Sequence, residues 1–142
     1  MRIFFDNVNI DSSSGPNSFA KKLKLELERS GNIIDLSMLR KDKIPDIQLS
    51  FIASQFKIAP LVQRLDGIYF NSEQDFSALN APIEKTYKNA DAVIFQSSFN
   101  KKLTYNYFGE KDRSFIIRNG TNTRLIDTIH PIKNENLDKF EN

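Results

Sequence analysis

Residues 80–109 read NAPIEKTYKNADAVIFQSSFNKKLTYNYFG. The order helix, buried strand, helix fits this stretch. Ala92-Val93-Ile94-Phe95 is a short apolar run with β-branched members. A run that is apolar on both of its faces suits a strand covered above and below. Polar Gln96, Ser97 and Ser98 follow at once. Either Ser97 or Ser98 can cap the next helix by accepting a hydrogen bond from its free amides. Phe99, Leu103 and Tyr107 mark the expected buried stripe of that helix, and Gly109 ends it. Upstream, Asn80-Ala81-Pro82 opens a helix over 83–89. Helix, strand and helix together are half of an open α/β sheet. Ligands of such sheets sit just beyond the carboxyl ends of the strands.

Working outward, Ile3-Phe4-Phe5 is a first strand ended by Asp6-Asn7. The polar loop 9–17 holds Gly15 and Pro16 and leads into a helix over 17–29, with Phe19, Leu23 and Leu27 facing inward and Gly31 closing it. Strands follow at 33–36, 47–53, 61–65 and 114–117. Residues 37–46 form a loop, 54–60 stay unassigned, and 68–71 lead into a loop or a short helix. Strands alternating with helices predict an α/β fold: a Rossmann-like, mostly parallel sheet with helices on both faces, in a single domain.

Composition narrows the chemistry. The 142 residues suit one domain, and 39% hydrophobic residues can form a core. A net charge of +2 argues against a nucleic-acid partner. Lys21-Lys22-Lys24 and Lys101-Lys102 read as solvated helix faces. With no cysteine, thiolate catalysis and disulfide scaffolds are excluded, and zinc loses its commonest ligand. The single histidine, His130, stands beside Pro131 near the end of the sequence. No apolar run reaches the length of a membrane span, and MRIFFDN reads as a strand, not a signal peptide, which points to the cytosol. G-x-G-x-x-G and the Walker motif are both absent.

Polar or glycine residues mark four strand ends: Asp6-Asn7, Asp66-Gly67, Gln96-Ser97-Ser98 and Asn119-Gly120. The loop 13–17 adds the free amides of a helix N-terminus, which suit a phosphate or a sugar hydroxyl. The ordinary alternative is turn chemistry, since Asp-Gly and Asn-Gly pairs are common turn formers.

Four segments, in order, resemble the N-terminal domain of the family-4 group of GT-B glycosyltransferases, which are retaining and nucleotide-sugar-dependent. They are Ser13-Ser14-Gly15-Pro16-Asn17-Ser18-Phe19-Ala20; Arg64-Leu65-Asp66-Gly67; Ala90-Asp91-Ala92-Val93-Ile94-Phe95-Gln96-Ser97-Ser98-Phe99; and Ile117-Arg118-Asn119-Gly120. The resemblance covers residues 1 to about 122 and leaves 123–142 as connector or tail. It implies that this half receives a glycan or other hydroxyl acceptor. A second domain or chain would hold the nucleotide-sugar donor, and no metal or other cofactor is built in. Gly15 would lie near the donor phosphates or the transferred sugar, and Asn17 would bind substrate. Arg64, Asp66, Gln96 and Ser97 would line the acceptor side, and Asn119-Gly120 the hinge. No catalytic residue is assigned. Asp66 would either orient an acceptor hydroxyl or cap the following turn.

The loop has one glycine where the family often has two, and Asn-Gly-Thr-Asn stands for the usual Asn-Gly-Val-Asp. The family's pair of glutamates separated by seven residues does not occur in these 142 residues. A non-catalytic module that holds a glycan or a protein is the alternative, and an unrelated flavodoxin-like or regulatory domain is a third reading.

Overall fold

A computed structural model describes residues 1–37, 44–120 and 123–128. Six parallel strands form one sheet in the order β2-β1-β3-β4-β5-β6. The chain runs β1 (Arg2–Asp6), α1 (Gly15–Arg29), β2 (Ile33–Asp35), β3 (Ile47–Phe51), β4 (Leu61–Leu65), α2 (Phe76–Asn89), β5 (Ala92–Phe95), α3 (Ser98–Phe108), β6 (Ser114–Ile116) and a short α4 (Thr123–Asp127). The fold is α/β and Rossmann-like. Of the segment 123–142, α4 is described and residues 129–142, with His130, lie outside the described residues. Most of the expected loop 37–46 lies outside them too. Among the described residues no helix is long and apolar enough to cross a membrane.

Alternation along the strands builds two cores, one on each side of the sheet. Ile3, Phe5, Leu49 and Phe51 face α1, whose Ala20 is fully buried and whose Phe19, Leu23 and Leu27 pack against them. Leu61, Leu65, Val93 and Phe95 face the opposite way, onto Ile83 and Tyr87 of α2 and Leu103 and Phe108 of α3. The strand register Leu65↔Phe95 and Gln63↔Val93 keeps these side chains on one face. Helices therefore cover both faces, as the alternating pattern predicts.

Three sequence expectations shift. The helix expected over 17–29 begins at Gly15, so Pro16 lies in its first turn. The helix expected to open at Asn80 begins at Phe76, where the Asp75 carboxylate accepts from the Ala78 amide at 3.0 Å. Pro82 lies inside it. The buried Asn80 side chain bonds both the amide and the carbonyl of Tyr69, which fixes the extra turn against the preceding loop. In α3 the buried face is rotated from the expected one: Phe99 and Tyr107 are exposed, while Thr104 is fully buried and Phe108 packs on Tyr87. Fitting α3 against α2, rather than its own periodicity, sets that face.

The third strand, expected over 47–53, ends at Phe51. Residues 52–60, of which 54–60 are unassigned from sequence, form no helix and cross the face of the sheet opposite α1. Buried side-chain amides hold them there. Gln48 Oε1 accepts from Ile58 N at 2.9 Å, and Gln48 Nε2 donates to the Asp6 carboxylate and to the Phe56 carbonyl. Gln63 Nε2 donates to the Ile52 carbonyl at 2.6 Å, and Ser54 N to Thr86 Oγ1 at 2.8 Å. Ile52 has φ 72°, a left-handed value that costs a β-branched residue free energy.

Glycine is required at one helix end and not at another. Gly109 ends α3 with φ 88° and ψ 171°, a region that other residues avoid. Gly15 has an ordinary φ and open space where a Cβ would stand. Gly109→Ala is expected to cost about 1–3 kcal/mol in urea unfolding. Gly15→Ala should leave stability level or raise it by about 0.4–1 kcal/mol.

Tyr87 is 2% exposed and donates its hydroxyl proton to the Gly109 carbonyl at 2.8 Å. Burial, followed by the neighbouring Tyr105 and Glu110, pushes its pKa from 10.0 up to about 12. The unfolded chain therefore ionises first. The stability tied to neutral Tyr87 is complete below pH 10 and is lost as the pH rises toward 12. Urea midpoints measured across that window should fall more steeply for the natural chain than for Tyr87→Phe.

Candidate functional site at the carboxyl rim

All six strands are parallel, so their carboxyl ends share one rim. Arg64 is the penultimate residue of β4, and its side chain points toward α1. It is 4% exposed and lies flat on Phe19, with its guanidinium carbon 3.8 Å from the ring centroid. A charge this deep needs partners, or its desolvation would not be offset. Arg64 Nη1 pairs with the Asp66 carboxylate, and Arg64 Nη2 donates to Asn119 Oδ1 at 3.0 Å. Burial lowers the guanidinium pKa below its ordinary value, and the Asp66 charge partly restores it.

The chain of contacts continues outward. Asn119 Nδ2 donates to Gln96 Oε1 at 2.8 Å. Four sequence-selected residues, Arg64, Asp66, Gln96 and Asn119, thus form one hydrogen-bonded line across the ends of β4, β5 and β6. Ser97 stands beside them and resolves the choice of cap: its Oγ accepts from Asn100 N at 3.1 Å, at the start of α3. The Asn100 side chain donates to the Asp66 carbonyl, locking the turn after β4. Through its carboxylate Asp66 bonds Arg64 and, among the described residues, no backbone amide of the turn that follows. Its side chain is 26% exposed, and its second carboxylate oxygen and the Gln96 amide nitrogen have no protein partner among the described residues.

The N-terminus of α1 reaches this rim through the loop after β1. Ser14 holds the N-cap position without making a side-chain cap bond, and its hydroxyl accepts from Asn17 Nδ2 at 2.9 Å. The first-turn amides at Gly15 and Asn17 thus lack a side-chain cap. Asn17 Oδ1 accepts from Asn9 N at 3.0 Å. Gly120 follows Asn119 and is exposed.

Three features escaped the sequence reading. Phe19 was read only as core, yet it is the platform for Arg64. The clue is that an arginine within a strand two residues before an aspartate needs somewhere apolar to lay its flat face. Asn100 carries no motif signal. The third is a cleft of about 540 Å³ at the end of β1, where Asp6, Asn7 and Asn17 meet Phe56 of the 52–60 crossing. It needed the β3–β4 crossing to be placed, and periodicity does not place it. Among the described residues no group of three or more His, Cys, Asp or Glu side chains is positioned to hold a metal ion.

Comparison with protein-family models and with curated proteins finds no match to this chain.

Arg64→Lys tests the geometry of the line. An ammonium keeps the charge but loses the stacked plane and the fork to Asp66 and Asn119. The variant should lose about 2–4 kcal/mol in urea unfolding. Amide NMR shifts should extend from residue 64 to residues 96 and 119.

Proposed function

We propose that this chain is the acceptor-side domain of a glycosyltransferase that moves a sugar from a nucleotide-sugar to an acceptor hydroxyl. A second domain or chain supplies the donor site. The observation that carries this reading is the unpartnered pair at the rim. Asp66 offers a carboxylate oxygen and Gln96 an amide N–H, held by the same arginine-centred line. Sugar hydroxyls both donate and accept, and a fixed acceptor beside a fixed donor matches two of them. The uncapped first turn of α1 adds partial positive charge suited to a departing phosphate. The four sequence segments resembling family-4 GT-B enzymes support the same reading, since three of them contribute to the line and the fourth is this helix start.

Transfer needs a departing diphosphate to be stabilised. The described rim supplies one buried arginine, already committed to Asp66, so the remaining cations come from the donor side. Asp66 orients rather than deprotonates in this scheme, because one of its carboxylate oxygens is already engaged by Arg64. The alternative reading is a module that holds a glycan without transferring it. The engagement of Asp66 by Arg64 favours that alternative over any in which Asp66 is a general base.

Co-expression with the reading frame adjoining its own gene, followed by assay with labelled nucleotide-sugars, separates the two. Transfer to a glycan that falls at least tenfold with Gln96→Ala supports the enzyme. Glycan binding with no transfer leaves the binding module, and the absence of both rules out a sugar-handling role. Calorimetry on this chain alone should show weak binding of nucleoside diphosphates or none.

A further inference from the structure

The strand order puts β2 on one side of β1 and β3 on the other. Connections leave in opposite directions there, and a crevice opens at the carboxyl end of β1. The cleft at that point has a volume of about 540 Å³, within the range of roughly 300–1,000 Å³ usual for small-ligand sites. Its described lining shares no residue with the Arg64 line: Asn17 lines the cleft, while Phe19 covers Arg64.

Among the described residues that line this cleft, Asp6 is the one with a charged side chain. Asp6 is 6% exposed. One of its carboxylate oxygens accepts from Gln48 Nε2 at 2.8 Å, and the other has no partner among the described residues. No ion pair involving Asp6 occurs among them either. A carboxylate buried to this degree is costly unless donors reach it. Phe56 forms an apolar wall, itself stacked on Phe4 at 6.3 Å between ring centroids and 21° between planes. Val8 and Leu36 extend the apolar lining, and Asn9 and Asn17 add neutral polar groups.

Among the described residues the lining therefore combines a hydrogen-bond acceptor of high strength, neutral amides and an aromatic wall, with no lysine or arginine. Phosphate groups are repelled by Asp6 and met by no cation among the described lining residues. A flat, neutral, hydroxyl-rich ring is accommodated: its hydroxyls donate to Asp6 and its C–H face lies on Phe56. We propose that this cleft binds a neutral pyranose ring of the acceptor glycan, as a subsite separate from the rim at Asp66 and Gln96. The assignment of the ring to an acceptor rests on the sugar-handling reading above. The neutral-ring chemistry of the cleft stands on its own lining.

The test is amide NMR on the full 142-residue chain, titrated with millimolar methyl α-glucopyranoside, methyl α-mannopyranoside and methyl α-galactopyranoside. Uridine diphosphate and ethanolamine serve as charged controls. At least one glycoside should shift the amides of Asn7, Asn9 and Asn17, and neither control should. Asp6→Asn should weaken that glycoside about tenfold or more, since a hydrogen bond to a charged group is lost. Phe56→Leu, which keeps the cleft apolar but removes the flat wall, should weaken it as well. The map on the natural chain and the Phe56→Leu titration decide the question should Asp6→Asn fail to fold. Shifts confined to Gln96 and Asn119 would overturn the cleft assignment while leaving the rim reading intact. Shifts from no glycoside, tighter binding of either control at the cleft, or undiminished binding in folded Asp6→Asn would also overturn it. Transfer or glycan binding in the co-expression assay judges the rim reading independently of these outcomes.

Discussion

A guanidinium held out of water at the end of β4 organises the carboxyl rim. Arg64 lies on Phe19 and reaches both Asp66 and Asn119. Each contact answers a different demand. The aromatic face compensates part of the lost hydration. The carboxylate balances the charge, and the amide oxygen takes a further N–H that would otherwise be buried unpaired. Because the three partners come from α1, the β4 turn and the segment after β6, satisfying one side chain fixes three separate parts of the chain. Gln96 joins through Asn119 and so acquires a set position although it is itself only partly buried.

The opposite face of the sheet follows another logic. Gln48, Ser50 and Gln63 are fully buried there, where aliphatic residues would ordinarily sit under a helix. The crossing from β3 to β4 has no helix to satisfy its own backbone, so side-chain amides from the strands take over that task. The match is incomplete. Ser50 Oγ, Gln63 Oε1 and Thr104 Oγ1 are buried without a partner among the described residues. Ile52 accepts a left-handed φ where the crossing leaves β3. Asn7 does the same where the chain leaves β1, and its side chain bonds the Phe51 carbonyl between them.

Much of this was legible in the residues. The strands at Ile3-Phe4-Phe5, Leu61–Leu65 and Ala92–Phe95 announce themselves as short apolar runs, and Ser97 and Gly109 mark the ends of α3 by ordinary capping chemistry. The polar residues at the strand ends were visible too, because a parallel sheet leaves its chemistry there. What was hidden depends on contacts between distant segments. The extra turn of α2 comes from Asn80 gripping Tyr69 in the preceding loop, and no propensity of residues 76–79 reports it. The buried face of α3 comes from fitting Phe108 against Tyr87. The cleft at β1 comes from Phe56 lying over Phe4, a pair more than fifty residues apart in sequence.

The last strand has a consequence of its own. β6 borders the sheet, spans Ser114–Ile116, and leaves Phe115, Ile116 and the following Ile117 more than two-fifths exposed. Among the described residues, one side of its backbone ladder faces outward without a neighbour in the strand order. An open ladder flanked by apolar side chains is a template onto which another extended chain can register. Its shortness limits how firmly such an intruder is gripped. In concentrated solution, this border is where stacking of molecules into fibrous aggregates would begin, and a lysine introduced at position 115 would blunt it without disturbing the carboxyl rim.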